Sequence, residues 1–171
     1  MNINNIANKT LDFTVKRIAE LTGILLVVFS ILIFISLVSY APEDPNFIFP
    51  DNTEIKNILG YRGSFVSDLF FQSIGLISII ISITIFFTGI NLFRTKRFLL
   101  IIENLFYTVL YSILGSLFFS IFYPNSFWLS INGNGGFIGK FLQDSFLSSS
   151  INLNNNIFYY ILIFLIFFIF L

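Results

Sequence analysis

The sequence contains no cysteine and no histidine among its 171 residues, and only 11% of them are charged. These absences exclude disulfide bonds, thiolate nucleophiles, imidazole bases and the usual zinc sites. Nine Lys and Arg residues are balanced by nine Asp and Glu residues, which leaves no basic surplus for binding nucleic acid. The sequence therefore predicts no catalytic residue, no metal site and no cofactor-binding residue in this chain.

Apolar residues are abundant instead. Hydrophobic residues make up 56% of the chain, 25 residues are Phe, and the mean hydropathy is +0.90. No soluble domain of this length buries so much apolar surface in one core, so the solvent must be the lipid bilayer. The first apolar run has about 20 residues, whereas a signal-peptide core has roughly 7–15. We interpret it as a retained membrane anchor.

Four stretches without charge predict an all-α polytopic membrane protein with four transmembrane helices. The first three reach the roughly 20 residues that a helix needs to cross a hydrocarbon core of about 30 Å. The fourth run covers only about 22 Å at roughly 1.5 Å per residue, so we expect the chain to continue beyond Leu171. The predicted parts are a cytoplasmic tail at 1–20 and a membrane domain at 21–171, with spans at about 21–40, 69–93, 104–123 and 157–171 and external loops at 41–68 and 124–156.

The distribution of basic residues predicts the orientation, because cytoplasmic segments are richer in Lys and Arg. The tail and the loop between spans two and three carry Lys9, Lys16, Arg17, Arg94, Lys96 and Arg97. The other two loops carry only Lys56, Arg62 and Lys140. We therefore expect both termini in the cytoplasm and two external loops.

The external loops end in similar sequences. Residues 60–70 align without gaps with residues 136–146, at a constant offset of 76. One interpretation is a duplicated helical hairpin, which would give two parallel hairpins. The alternative is convergence on the same helix-start chemistry, a glycine for the turn and an early carboxylate. The identical pairs are Gly60/Gly136, Gly63/Gly139, Phe65/Phe141, Asp68/Asp144 and Phe70/Phe146.

The glycine-rich string before the fourth span is not a phosphate-binding loop. A Walker A loop needs Gly, four residues, then Gly-Lys followed by Ser or Thr. Asn134 stands where the first Gly is required, and Phe141 stands where the hydroxyl is required. This segment is also predicted to be external, where no ATP pool exists.

Small residues mark the helix faces that we expect to pack, because they let membrane helices approach closely. Every carboxylate and basic residue lies at or outside a span boundary; Glu103 is the nearest to a span, and we expect it to be an interfacial partner of the basic middle loop. The predicted packing residues are Gly75, Ser78, Ser82 and Gly89 in the second span and Thr108, Ser112, Ser116 and Ser120 in the third.

The first external loop begins with a proline-containing motif. Pro42 and Pro45 end the first helix and restrict the backbone to extended or turn geometry. Gly60 and Gly63 permit a chain reversal before a helix that we expect to begin near Asp68. The loop would present its acidic residues outward, either as a protein-docking face or as a solvated loop. Those residues are Glu43, Asp44, Asp51 and Glu54.

These loop sequences resemble the N-terminal membrane domain of FtsK/SpoIIIE-type DNA translocases. The resemblance covers nearly the whole chain in segment order and predicted topology, and Ser67 stands where that family usually has Ala. The residues that carry it are Tyr40, Pro42, Asp44, Pro45, Gly60, Gly63 and Asp68 in the first loop, and Gly136 and Gly139 in the second.

The resemblance implies that a linker and an ATP-driven, Mg-dependent hexameric motor for double-stranded DNA follow this chain. It implies that the chain itself anchors and supports a homo-oligomer at the division septum of the bacterial inner membrane, contacts other division proteins, and meets DNA only through the absent motor. The alternative is a small transporter or channel subunit, which would need charged or unwound elements at mid-membrane depth. The sequence shows none, and a membrane enzyme lacks candidate groups.

Overall fold

The computed structural model describes residues 3–45, 54–129, 131–147 and 156–170, and the regular structure within them is helical throughout. The predicted all-α class is therefore confirmed. Residues 46–53 of the first predicted external loop, which include Asp51, residues 130 and 148–155 of the second, and Leu171 lie outside the described residues. The helices of the described part are α1 (Ile3–Val38), α2 (Gly60–Ile74), α3 (Ser78–Thr95), α4 (Leu99–Phe122), α5 (Gly136–Leu142) and α6 (Asn156–Phe170).

Helix α1 joins the predicted tail and the first predicted span without interruption. Its 36 residues extend about 54 Å at 1.5 Å per residue, well beyond a hydrocarbon core of about 30 Å. It contains no proline, and it ends shortly before Pro42. Residues from Ile3 onward thus form a helical extension of the first span.

The second helical segment begins earlier than the sequence suggested. The prediction of a helix start near Asp68 is wrong, because α2 begins at Gly60, where φ is +65°. Glycine adopts this left-handed conformation without steric cost, so the turn and the helix start coincide at one residue. Gly63 and Asp68 therefore lie inside α2 and not in a loop before it.

The second predicted span is also not one continuous helix. α2 ends at Gly75, whose φ of +69° and ψ of −149° break the helix, and a 3₁₀ turn at Gly75–Ile77 leads into α3. The backbone groups at the break remain paired: Gly75 N–H donates to the Phe71 carbonyl, and the Ser78 hydroxyl donates to the Gly75 carbonyl at 2.6 Å. The break is therefore an ordered change of direction within one segment.

An ion pair joins the N-terminal helix α1 to the basic segment between α3 and α4 at one end of the helices. Lys96 caps α3 in a left-handed conformation with φ of +60°, and its Nζ lies 2.6 Å from Glu20 Oε1 of α1. Arg17 Nη1 lies 2.5 Å from the other oxygen of Glu20. The prediction that Glu103 pairs with this loop is wrong: it is exposed and has no ion pair within the described residues. We call this end, defined by Arg17, Glu20, Arg94, Lys96 and Arg97, the basic end.

The second half of the chain repeats the order of elements in the first half. α4 is followed by a loop, the short helix α5, a π-helical turn at Gln143–Leu147 and the apolar helix α6. α5 begins at Gly136 with φ of +65°, the same value as Gly60 at the start of α2. In both halves the short helix and the following apolar helix pack on the first long helix.

Three helical segments of the described chain are long and apolar enough to cross a membrane: Asn8–Val38, Gly60–Thr95 and Leu99–Phe122. α6 is apolar but shorter. α1 packs most extensively on α3, where Gly23 and Gly89 bring the two backbones together. A Cβ atom built on Gly89 would lie 2.8 Å from the Gly23 carbonyl oxygen. The two helices come this close because both residues are glycines, which have no Cβ atom.

Candidate functional site

The loop between α1 and α2, called the first loop below, is tied to the helix ends by Asp44. This carboxylate is 1% exposed and accepts hydrogen bonds from the backbone N–H groups of Lys56 at 2.8 Å and Asn57 at 2.9 Å. The expectation that Asp44 faces outward is wrong. A carboxylate with two backbone donors is stabilised when buried, and here it closes the loop between its two ends.

Asn57 is the central residue of this loop, and the sequence reasoning did not identify it. Its Nδ2 group donates to the Ser36 and Ser39 carbonyls at 2.9 and 3.2 Å, and its Oδ1 accepts from Leu59 N–H at 3.1 Å. It thereby pairs carbonyl groups that the last turn of α1 leaves without helical partners. The available signal was an Asn three residues before Gly60, directly followed by the apolar residues Ile58 and Leu59.

Gly63 of α2 contacts the last turns of α1. Its carbonyl accepts the Ser36 hydroxyl at 2.6 Å, and a Cβ atom at this position would lie 2.1 Å from Asn57 Oδ1. Pro45 is buried, and its carbonyl accepts the Ser64 hydroxyl at 2.9 Å. We call Ser36, Asp44, Asn57 and Gly63 the first-loop network.

Tyr40 and Asp68 meet at the same end. The Tyr40 hydroxyl donates to Asp68 Oδ1 at 3.3 Å, and the Tyr40 ring lies 5.0 Å from that of Phe71. Pro42 is half-buried in the turn that follows α1. The structure therefore brings together Tyr40, Asp44, Pro45, Gly63 and Asp68 from two distant parts of the sequence.

Glu43 and Glu54 are the acidic loop residues that remain exposed within the described part. Glu43 forms an exposed ion pair with Lys56. The Lys56 ammonium lowers the pKa of the Glu43 carboxyl, and the same contact raises the pKa of Lys56. The outward acidic face is thus smaller than the sequence indicated, and part of its charge is neutralised.

The loop between α4 and α5, called the second loop below, contacts the helix break at Gly75. Leu76 N–H donates to the Asn134 carbonyl at 2.9 Å, and a Cβ atom on Gly75 would lie 1.9 Å from that oxygen. A Cβ atom on Gly136 would lie 2.5 Å from Gly75 N. We call Gly75, Asn134, Gly135 and Gly136 the glycine junction. It joins the two halves of the chain by backbone contact.

Amide side chains position this second loop. Asn134 Nδ2 donates to the Tyr123 and Asn125 carbonyls at 2.8 and 2.9 Å. Asn132 Nδ2 donates to the carbonyl and the Oε1 of Gln72 at 3.2 and 3.1 Å. Asn132 and Asn134 were not predicted as site residues; the signal was the alternation of Asn and Gly at 132–135.

The small residues of α4 face α5 and the break. The Ser116 hydroxyl donates to the Ile74 carbonyl at 2.8 Å, and the Ser120 hydroxyl donates to Gln143 Oε1 at 2.6 Å. A Cβ atom on Gly139 would lie 2.2 Å from the Ser116 carbonyl oxygen. Ser112, by contrast, donates to Val109 of its own helix.

The remaining predicted packing residues lie on α3 and near the start of α4. Ser78, Ser82 and Gly89 are buried, whereas Thr108 is half-buried. Gly75 belongs to the glycine junction and not to a continuous helix face. The sequence reasoning missed Gly23 and Ser30 of α1, although both are buried opposite α3. Their spacing of one heptad was the available signal.

The polar groups at the loop end form hydrogen bonds with one another and with the backbone. The described residues contain no group of three or more acidic residues that would hold a metal ion. Every buried side-chain nitrogen or oxygen in the described part has a hydrogen-bond partner. This arrangement fixes the relative positions of helices and loops.

Related proteins identify the family. Residues 15–171 match the family described as the 4TM region of DNA translocase FtsK/SpoIIIE. The DNA translocase FtsK of Rhizobium meliloti (strain 1021) is 29% identical over 130 residues, which are 76% of this chain and 15% of that protein. That of Bradyrhizobium diazoefficiens is 28% identical over 127 residues, 74% of this chain and 15% of that protein.

The chain thus spans only about 15% of the length of these curated relatives. No solved structure matches it. The match covers the long apolar helices and both glycine-started short helices, so the chain is a multi-span membrane segment. It belongs to the family of the 4TM region of DNA translocase FtsK/SpoIIIE.

Proposed function

We propose that this chain is the membrane anchor and septum-targeting domain of a DNA translocase that acts in cell division and chromosome segregation. The observation that carries the proposal is the family match over residues 15–171, together with relatives named DNA translocase FtsK. ATP-driven pumping of double-stranded DNA would belong to a motor outside this chain. The anchor would support a homo-oligomer and contact other division-site membrane proteins.

The anchor would cross the inner membrane four times as two parallel hairpins, with both termini in the cytoplasm. The Glu20–Lys96 ion pair supports this topology, because it holds the predicted tail and the middle loop at one end of the helices. The basic end would then face the cytoplasm, as the positive-inside rule requires. The first-loop network and the glycine junction would face outward.

Reporter fusions test the topology. A fluorescent protein fused after Arg97 should fluoresce, and alkaline phosphatase fused after Asn52 or Asn134 should be active. Replacing Arg94, Lys96 and Arg97 by Gln should weaken this pattern, because the basic bias sets orientation. Replacing Lys56, Arg62 and Lys140 by Gln is the matched control and should leave it unchanged. An active phosphatase after Arg97 would contradict the four-span topology.

Localisation and biochemistry test the function. A fluorescent fusion of the chain should form a band at mid-cell, and a uniform signal around the cell would contradict septal targeting. The purified chain should hydrolyse ATP only at background rate with DNA present, and it should not retain DNA in a salt-sensitive way, since it has no basic surplus. Hydrolysis stimulated by DNA would contradict the assignment of an anchor.

The alternative function is a transporter or channel subunit, and the helix break at Gly75 is the feature that would favour it, because unwound backbone can coordinate ions. Its backbone groups are already used, however. The Ile74 carbonyl accepts the Ser116 hydroxyl, and Leu76 N–H donates to Asn134. With these groups bonded inside the protein, the break favours a structural junction over an ion site.

A further inference from the structure

A groove of about 430 Å³ runs between α1 and α2. This volume lies within the roughly 300–1,000 Å³ of ligand sites in proteins. Its walls are mostly apolar, and one cation, Arg62, lies among them. The lining residues are Phe29, Leu32, Ile33, Ser36, Leu59, Arg62, Gly63 and Val66.

The position of the groove along the membrane normal follows from α1. The Ser36 hydroxyl donates to the Gly63 carbonyl, so Arg62 lies at the level of the last turn of α1. Glu20 at the basic end is about 24 Å from Ser36 along the helix axis. A hydrocarbon core of about 30 Å therefore ends near Arg62, whose long side chain reaches the polar interface. Phe29 lies about 10 Å deeper.

Arg62 carries a charge that no described residue neutralises. It is exposed, and within the described residues it forms no ion pair or side-chain hydrogen bond. Lys56, on the same loop, is paired with Glu43. A phospholipid has a charged phosphate at the membrane surface and apolar acyl chains below it. A guanidinium beside an apolar groove fits both parts, because guanidinium groups bind phosphate through two hydrogen bonds.

We propose that this groove binds a phospholipid of the leaflet at the loop end. One acyl chain lies along Phe29, Leu32 and Val66, and the phosphate pairs with Arg62. The site depends on the membrane location of the chain but not on septal targeting or DNA translocation, so failure of either of those two proposals would leave it standing.

The test is native mass spectrometry of the purified full chain in detergent with added phosphatidylglycerol. An uncharged galactosyl diacylglycerol serves as the lipid without phosphate. We expect phosphatidylglycerol to be retained in preference. Arg62→Gln should reduce its retention about fivefold, the effect of one cation near a lipid surface. Lys140→Gln removes an exposed cation from the other loop and should change nothing.

The acyl chain is tested by filling the groove while keeping the charge. Val66→Trp should lower retention of phosphatidylglycerol, whereas Leu69→Trp, on the same helix outside the groove lining, should not. Circular dichroism identifies the variants that keep their helices. Retention unchanged in Arg62→Gln or in Val66→Trp would overturn the proposal. An equal loss in Arg62→Gln and Lys140→Gln would overturn it too, because the lipid would then follow charge alone.

Discussion

In the first hairpin, which comprises α1 to α3, the helices α1 and α3 meet backbone to backbone at Gly23 and Gly89, whereas in the second hairpin, which comprises α4 to α6, the helices α4 and α6 meet through aromatic rings. Phe122 lies 4.9 Å from Tyr159 between ring centroids, and Leu162 is buried beside Leu117. The two hairpins share an order of elements and a glycine helix start. Equal topology thus does not require equal packing chemistry, since close approach and ring contact both exclude lipid from a helix interface.

The loops differ in the same way. A buried carboxylate and an amide hold the first loop through Asp44 and Asn57. The second loop uses amide groups and glycines that contact the backbone of the other hairpin. The first loop is therefore fastened within its own hairpin, whereas the second fastens one hairpin to the other.

The largest effect is expected at the backbone contact of the first hairpin. Gly89→Leu places a side chain where Gly23 O and Val27 N lie within 2.9 Å of the first added carbon. The helices must separate, and we expect the free energy of unfolding to fall by about 3 kcal/mol. Unfolding by sodium dodecyl sulfate, followed by circular dichroism, measures this. Phe87→Leu, at an exposed position of the same helix, is the control. Equal stability of both variants would contradict the close backbone contact between α1 and α3.

The second hairpin should respond to loss of volume instead. Leu162 is 3% exposed between α6 and α4, so Leu162→Ala leaves a cavity and should lower the free energy of unfolding by about 2 kcal/mol. The same titration applies. Phe164→Ala, at an exposed position of α6, is the matched truncation and should have little effect. If Leu162→Ala were equally harmless, α6 would not be packed through this position.

Asp44→Asn tests the fastening of the first loop. The amide replaces one acceptor oxygen with a donor that faces backbone N–H groups, so we expect a loss of about 2 kcal/mol. Limited proteolysis of the first loop should accelerate, while the fluorescence of Trp128 in the second loop should stay unchanged before global unfolding. Glu54→Gln is the exposed control. A change in both loops together would show that they are not fastened independently.

Two serines of α4 allow a hydrogen bond between the hairpins to be compared with a hydrogen bond within one helix. Ser116→Ala removes the hydroxyl that donates to Ile74 and should lower the free energy of unfolding by about 1 kcal/mol. Ser112→Ala removes a bond within α4, and we expect a smaller change. Detergent unfolding of the two variants under identical conditions compares them. A larger loss of stability in Ser112→Ala than in Ser116→Ala would contradict the view that the bond between the hairpins contributes more.

The smallest effect concerns the exposed ion pair of Glu43 and Lys56. Because Lys56 lowers the Glu43 pKa below 4.5, the pair contributes above that pH and loses its contribution as pH falls through the lowered pKa. Thermal unfolding of wild type and Glu43→Gln should differ slightly at pH 6 and converge as the carboxyl is protonated. Lys56→Gln should behave in the same way. A difference that grows at low pH would contradict this linkage.

The sequence predicted the helical class, and it predicted that the two basic segments lie at the same end of the helices, as the Glu20–Lys96 ion pair shows. A membrane helix is selected by hydropathy summed over about 20 consecutive residues, and such a sum is available without tertiary structure. The prediction for Asp44 failed because an acidic residue after a helix is usually solvated. Its burial depends on backbone N–H groups at Lys56 and Asn57, which only the closed loop brings to it.

The helix break at Gly75 illustrates the same limit. Within the apolar run the glycine looked like a packing residue, since a glycine in a membrane helix most often serves close approach. The conformation with φ of +69° is stable because Asn134 pairs with Leu76 and Ser116 pairs with Ile74, both from the other hairpin.

The sequence by itself determined that this chain is helical, that lipid is its solvent, and where its basic segments lie. Tertiary structure decided which helices touch through glycine and which through rings, and which charged groups are buried. Hydropathy and charge act locally along the chain, whereas the partner of a buried polar group is set by the fold that brings distant backbone groups to it.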